Sequence, residues 1–297
     1  MTPCRLIVDP PLDGAWNMGF DEALLEQAAD LGVATLRFYQ WQEPTLSLGY
    51  FQAYDERDTH AESRQAAVVR RQSGGGALMH DRELTYSISL PADHPLARQS
   101  PQLYDVVHRS LIELLAEEGI TASLHGDSAG AKPAAGESVG GVSDADFASP
   151  PNLPQPLESS RNQSPLPQEE RVAVADEPFL CFARRTSADV VLPTAVAAEL
   201  PVKIVGSAQR RRRGAVLQHG SVLLDRSPAA PELAGIKQIS GKSITPRWLV
   251  DHWSNVLAAC LQLEFHRNQP RHGEDVMKRA EQLRIEKYAA VAWTRRR

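Results

Sequence analysis

Apolar residues recur along this chain with two periods, one typical of helices and one typical of strands. A spacing of three to four residues predicts an amphipathic helix over 12–32, which Gly32 ends. The same spacing predicts helices over about 103–118 and 274–290. A further helix is predicted to begin at Thr245, because threonine is a good N-cap and a proline follows at the first helical position.

Shorter apolar runs predict strands between these helices. Residues 84–90 alternate with a period of two, which indicates a strand buried on one face. The other runs are rich in β-branched and aromatic residues, as strands are. They cover 35–39, 45–48, 68–71, 188–192, 202–205 and 215–224.

The pattern breaks over residues 126–176. This segment is rich in Gly, Ala, Ser, Pro, Glu and Gln and contains one aromatic residue, Phe147. Such a composition buries too little apolar surface to offset the entropy of ordering the chain. We therefore predict a disordered insert within a single domain that spans residues 1–297.

Composition places the chain among ordinary globular proteins. Of its 297 residues, 42% are hydrophobic and 23% are charged, and its net charge of −5 argues against a nucleic-acid binder. The sequence has no apolar stretch of the length that a membrane span needs, and its N-terminus lacks the pattern of a signal peptide. Three widely separated cysteines favour free thiols, so we predict a cytoplasmic protein without a membrane or nucleic-acid partner.

Two segments are the best candidates for chemistry. The first, 70–81, places two arginines before three glycines, which can approach a ligand closely. It matches neither a Walker A motif nor a dinucleotide fingerprint. The second, 203–220, begins with Lys203 in an apolar run, where a buried ammonium needs a partner. That lysine is predicted either to lie in water on an edge strand or to face a site.

Cys181 follows the insert between apolar neighbours. Such a cysteine is usually inert core packing, and the residue alone does not distinguish packing from catalysis. Cys260 is predicted to be buried, since it lies on the apolar stripe of its helix. His80 and His219 are equally able to act as bases or to anchor loops. The arginine run 210–213 is either solvated surface or a docking patch for an acidic partner.

Taken together, these segments strongly resemble the lipoate-attachment branch of the biotin/lipoate protein ligase superfamily. The resemblance covers nearly everything except the insert and the end of the chain. It implies an α+β fold, with a mixed, largely antiparallel sheet flanked by helices. The matching segments are 20–25, 36–39, 44–52, 70–81, 83–87 and 203–220.

Two chemistries compete within this branch. The segments 83–87, 206–209 and 217–221 and the Cys181-Phe182 pair resemble cysteine-dependent octanoyltransferases, which move octanoate from acyl carrier protein. Ser73-Gly74-Gly75-Gly76 instead resembles the ATP-using lipoate–protein ligases. The gap from Cys181 to Lys203 is also longer than the resemblance to the octanoyltransferases implies. A transferase between two lipoyl domains and a non-catalytic relative are further alternatives.

The resemblance implies that Cys181 is the nucleophile and that Lys203 favours its thiolate and holds the acyl carbonyl. The donor would be acyl carrier protein, and the acceptors would be lipoyl domains of 2-oxoacid dehydrogenases or the glycine cleavage H protein. No metal or cofactor is expected, except ATP and Mg²⁺ if the protein is a ligase. The expected substrate-binding residues are Arg71, Ser73, Gly74, Gly75, Gly76, His80, Gly206, Ser207, Ala208, His219 and Gly220.

Overall fold

A computed structural model describes residues 1–128, 141–142, 178–194, 200–265 and 273–297. Within these ranges the main feature is a nine-stranded mixed sheet. Its strands are β1 (Thr2–Val8), β2 (Ala34–Tyr39), β6 (Glu83–Leu90), β7 (Ser123–Leu124), β8 (Gly141–Val142), β9 (Val190–Leu192), β10 (Val202–Arg212), β11 (Ala215–Leu223) and β12 (Leu263–Phe265). They are ordered β12-β1-β2-β6-β11-β10-β9-β7, with β8 on β10. The pairs β12/β1, β1/β2 and β8/β10 are parallel and the others are antiparallel.

Helices cover both faces of this sheet. The helices α2 (Ser100–Glu117) and α5 (Pro246–Cys260) pack on one face, where Trp253 lies against Phe38 and Tyr86. On the other face, α1 (Gly14–Leu31) packs against α6 (Glu274–Leu283). Three further α-helices are short: α3 (His125–Ser128), α4 (Ile236–Ser240) and α7 (Val291–Thr294). A π-helical segment, Arg284–Tyr288, continues α6.

A small second sheet carries the glycine-rich loop. Its strands are β3 (Thr45–Leu48), β4 (Ala67–Arg70) and β5 (Leu78–His80), in the order β4-β3-β5. The loop 71–77 therefore connects two strands that both pair with β3. Both ends of the loop are therefore anchored on one strand.

The predicted fold class, a mixed and largely antiparallel sheet flanked by helices, is confirmed. The helix N-cap at Thr245 is also correct, since its Oγ1 accepts a hydrogen bond from Trp248 N at 3.1 Å. The prediction that 84–90 has one buried face is wrong, because β6 lies in the middle of the sheet with helices on both sides and every residue is buried. The strand predicted over 202–205 extends to Arg212.

Two further predictions concern the insert and the cysteines. The predicted disorder over 126–176 lies outside the described residues, apart from 126–128 in α3 and 141–142 in β8. Cys260 is exposed, contrary to the prediction, because it ends α5 beyond the apolar stripe that packs on the sheet. Cys4 is buried in β1, and burial raises the pKa of its thiol to about 12. Within the described residues, no helix is both long and apolar enough to cross a bilayer.

Candidate active site

A narrow, mostly apolar pocket lies between the glycine-rich loop, α1 and the middle of β10 and β11. It encloses about 450 Å³ of empty space, part of it at an open mouth. Apolar and aromatic walls of this kind suit an aliphatic ligand. The lining residues that the sequence had predicted are Arg71, Gly74, Gly75, His80, Cys181, Gly206, Ser207, Ala208, His219 and Gly220.

Cys181 reaches the pocket on a short 3₁₀ turn, Cys181–Ala183, placed against the glycine-rich loop. Its backbone N donates a hydrogen bond to Ala77 O at 2.7 Å, and Ala77 N donates to Phe179 O at 3.2 Å. A side chain at Gly76 would come within 3.3 Å of the Cys181 backbone. The loop and the cysteine are therefore in direct contact, with the thiol half-buried.

Lys203 approaches the same thiol from β10. Its Nζ lies 3.7 Å from Cys181 Sγ and donates a hydrogen bond to Cys181 O at 3.3 Å. Lys203 is 4% exposed, and its ammonium forms an ion pair with Asp189 at 2.9 Å. A carboxylate this close offsets the cost of burying the charge, so a cation is held beside the sulfur.

The path of the lysine side chain explains the glycine that follows it. A Cβ at Gly206 would lie 2.7 Å from Lys203 Cε and 3.0 Å from its Nζ. Lys203 does not itself line the pocket but lies behind the wall that Gly206 forms. The absence of a side chain at this position lets the ammonium reach Cys181.

Arg71 holds the glycine-rich loop in shape. Its guanidinium donates to Ser47 O at 2.8 Å and to Gly74 O and Gly76 O at 2.8 and 2.7 Å. Burial lowers its pKa to about 10, which leaves it charged at neutral pH. Gly75 adopts a φ of +92°, a conformation that side chains disfavour, so this turn requires glycine.

Ser73, which does not line the pocket, belongs to a buried hydrogen-bond chain behind it. Ser73 Oγ lies 2.5 Å from His219 Nε2, and His219 Nδ1 lies 3.1 Å from Asp21 Oδ2. Asp21 also accepts from Arg37 at 2.8 Å, and its pKa lies below the usual range despite burial because of its bonds to His219 and Arg37. These hydrogen bonds fix the ring of His219 and connect the glycine-rich loop to α1.

His80 also lines the pocket and is held by stacking. Its ring lies 4.0 Å from the ring of Trp41, and its Nε2 is 2.8 Å from Ser47 Oγ. Burial lowers the pKa of His80, although Glu83 at 3.4 Å acts in the opposite direction. A neutral imidazole at physiological pH is the consequence.

Several of these residues were missed by sequence reasoning. Asp189 lies 14 residues before its partner Lys203, and Asp21 lies 198 residues before its partner His219. No local sequence pattern therefore links either pair. The pocket walls contributed by Met18, Tyr39, Trp41, Ser47, Leu78 and Thr85 were likewise missed as site residues. Tyr39, Ser47, Leu78 and Thr85 lie within segments of the family pattern, which was their only sequence signal. Met18 and Trp41 lie outside those segments and had none.

The arginine run 210–213 is divided by the pleat of β10. Arg211 donates to Ala97 O on the α2 side of the sheet. Arg210, Arg212 and Arg213 line a cleft on the α1 side. The docking hypothesis treated the run as one basic patch, but its side chains lie on two sides of the sheet.

The described residues thus bring a cysteine thiol and a buried ammonium group together beside an apolar pocket. Residues 13–243 match the family described as the lipoyl protein ligase A/B catalytic domain, and the chain belongs to that family. The predicted family is confirmed.

Similar proteins fall into two groups. The chain is 32% identical to an octanoyltransferase LipM of Halalkalibacterium halodurans, over 76% of this chain and 67% of that protein. It is 34% identical to an octanoyltransferase LipM of Kyrpidia tusciae, over 77% and 69%. Among solved structures, a putative lipoate protein ligase from T. acidophilum with bound lipoic acid superposes with a TM-score of 0.64 at 17% identity, covering 99% of each chain. At 17% identity, the similarity to the solved structure is a similarity of fold.

Proposed function

We propose that this protein is an octanoyltransferase that moves an octanoyl group from acyl carrier protein to a lysine of a lipoyl domain. The observation that carries the proposal is the 3.7 Å approach of Lys203 Nζ to Cys181 Sγ at the wall of an apolar pocket. The relatives named octanoyltransferase LipM, at 32–34% identity, support the same activity.

The reaction proceeds in two transfers at one carbon. The thiolate of Cys181 forms a bond to the thioester carbonyl carbon, the bond to the carrier sulfur breaks, and the carrier leaves as a thiolate that takes up a proton. The amine of the target lysine then attacks the enzyme thioester. An amide bond forms, the amine loses a proton, and the bond to Cys181 Sγ breaks.

Lys203 serves both transfers. Its charge, held by Asp189, favours the thiolate of Cys181 and stabilises negative charge that develops on the acyl oxygen. Because the ammonium is buried, this interaction is stronger than it would be in water. No cofactor takes part in the proposed steps.

The pocket binds the acyl chain. Met18, Tyr39 and Leu78 supply apolar surface, and Gly206 and Ala208 leave space along β10. Burial of an eight-carbon chain contributes several kcal/mol, at ~0.8 kcal/mol for each methylene. His219, whose ring nitrogens are held by Ser73 and Asp21, forms part of the same pocket wall.

An ATP-dependent lipoate–protein ligase is the second candidate. The Ser73-Gly74-Gly75-Gly76 loop favours it, since this sequence motif resembles that of the ligases. A transferase that takes the acyl group from another lipoyl domain differs from the first proposal only in its donor. The identity of the acyl donor therefore distinguishes the three reactions.

The test supplies each donor in turn to the full chain with a purified lipoyl domain. The arms contain octanoyl-acyl carrier protein, free octanoate or lipoate with ATP and Mg²⁺, or an octanoylated glycine cleavage H protein. We expect the mass of one octanoyl group on the acceptor in the first arm alone. Without an acceptor, that mass is expected on the peptide that carries Cys181.

Two variants complete the test. Cys181→Ala is expected to abolish transfer, whereas Cys260→Ala, at an exposed position on α5, should retain it. Normal transfer by Cys181→Ala would reject the thioester mechanism. Modification in the ATP arm, unaffected by Cys181→Ala, would establish the ligase instead.

A further inference from the structure

A second cleft opens next to the acyl pocket, between α1 and the distal half of β10. It holds about 910 Å³ of empty space, part of it open to solvent. Four cationic side chains line it, and we call it the basic cleft. Its cations are Arg210, Arg212, Arg213 and Lys287.

The basic cleft continues the line of the acyl pocket along two elements. On β10, Ala208 lines the pocket and Arg210 and Arg212 line the cleft, at alternate positions that share one face of the strand. Each step of two residues spans about 7 Å. On α1, Met18 lines the pocket and Glu22, one turn later, lines the cleft.

The cations Arg212, Arg213 and Lys287 are paired with carboxylates that lie in the cleft or beside it. The carboxylate of Glu22, which also lines the cleft, forms a 2.7 Å ion pair with Lys287 and accepts from Tyr288 OH at 2.6 Å. Glu26 lies 3.4 Å from Arg212, and Asp30 lies 2.7 Å from Arg213. Arg210, only 5% exposed, adds a further cation at the end nearest the pocket.

Gln72 is an independent sign that a ligand binds here. This residue lines the basic cleft, is 6% exposed, and directly follows Arg71 of the acyl pocket. Its Nε2 has no hydrogen-bond partner among the described residues. A buried amide donor without a partner is destabilising, and an acceptor oxygen bound in the cleft would satisfy it.

We propose that the basic cleft binds the phosphate of the acyl donor. The inference rests on the proposed function, in which the thioester enters the pocket on the phosphopantetheine arm of a carrier. With the thioester at Cys181, the arm follows the face of β10 past Ala208 to Arg210 and Arg212. Guanidinium groups bind phosphate oxygens through paired, charge-assisted hydrogen bonds, and Gln72 adds a neutral donor.

The test compares two ligands that differ only in this phosphate. The affinity of the full chain for S-octyl-phosphopantetheine and for S-octyl-pantetheine, thioethers that have no carbonyl carbon for Cys181 to attack, is measured by calorimetry. We expect the phosphorylated ligand to bind at least tenfold more tightly to the wild type. In the double variant Arg210→Gln/Arg212→Gln, the ratio of the two affinities should fall to near one.

Two further variants keep the result interpretable. Gln72→Leu removes only the amide and should lower the ratio about threefold, which tests the cleft even if the double variant fails to fold. Arg247→Gln, on the exposed side of α5, should leave the ratio unchanged. Equal affinities in the wild type, or a ratio that survives the double variant and Gln72→Leu, would overturn the proposal.

The outcome is separable from that of the proposed function. Binding is measured without transfer, so a phosphate preference can be observed even if no acyl group moves. If octanoyl-acyl carrier protein is a donor but the wild type shows no phosphate preference, only the phosphate site is rejected. A KM for the carrier that rises in the double variant without such a preference would assign the cleft to carboxylates of the carrier protein, and would also reject the phosphate site.

Discussion

Asp189 holds the ammonium of Lys203 at 2.9 Å, at a point where both side chains are almost completely buried. The carboxylate also accepts a hydrogen bond from Thr186 N at 2.7 Å, which anchors it to the turn before β9. The position of the cation beside Cys181 therefore depends on a residue that neither touches the sulfur nor lines the pocket.

Asp189→Asn should be strongly destabilising, because it leaves the Lys203 charge buried without a carboxylate. We expect a loss of about 3 kcal/mol in the free energy of unfolding, as for other broken buried pairs. Urea denaturation measures it. Asp251→Asn, which breaks an exposed pair with Arg247, should cost less than about 0.5 kcal/mol. Equal costs for the two variants would contradict this account.

Lys203→Ala should slow both acyl transfer and the alkylation of Cys181 at neutral pH, because the thiolate loses its neighbouring cation. The rate of modification by iodoacetamide, followed by peptide mass, measures the effect, and we expect a decrease of at least tenfold. Lys237→Ala, at an exposed ion pair with Asp225, is the matched control. An unchanged alkylation rate would remove Lys203 from the mechanism.

Gly206→Ala should separate activity from stability. The new Cβ would approach the flexible end of Lys203, which can move aside, so the fold should survive and the ammonium should leave Cys181. We expect a melting temperature within a few degrees of the wild type and a loss of transfer of at least tenfold. Gly273→Ala, where a Cβ meets nothing within 4 Å, is the control. Full activity in Gly206→Ala would show that the lysine position is not critical.

Ser73→Ala should loosen the glycine-rich loop, because it leaves Nε2 of the buried His219 without its 2.5 Å partner. A cost of about 1–3 kcal/mol is expected in the free energy of unfolding. Transfer should slow, since the loop and the ring of His219 in the pocket wall are no longer held. Thr59→Ala, which removes an exposed hydrogen bond to Glu56, should change neither stability nor transfer. Transfer at the wild-type rate would restrict Ser73 to a structural role.

Acid should destabilise the protein through buried histidines. Burial lowers the pKa of His80 and His108 below the ordinary value of 6.5, so the unfolded chain binds protons more readily than the folded chain. Their contribution is fully present above pH 6.5 and is lost as the pH falls through the folded values. Urea denaturation between pH 7.5 and 5.5 should show decreasing stability. The double variant His80→Gln/His108→Gln should show a shallower decrease, and an equal one would contradict the assignment.

The linear pattern was sufficient for the elements whose residues pack locally. The N-terminal helix, the Thr245 cap and the strand 45–48 were predicted within two residues, because their periodicity and end signals lie within single segments. It was not sufficient for β1, which lies near the chain end and pairs with β2 and β12, or for β12, which has three residues and pairs with β1. The burial of β6 on both faces likewise depends on helices distant in sequence.

The sequence by itself determined the family, the fold class and which segments hold candidate chemistry, because these depend on residue types in a fixed order. Only the tertiary structure decided which residues are neighbours. It brings Lys203 to Cys181 across a strand and a turn, supplies Asp189 and Asp21 as partners, and sends Arg211 to the opposite side of the sheet from Arg210. The physical reason is that charge pairing acts over a few ångströms in space, and the strand register that sets those distances is a property of the assembled sheet.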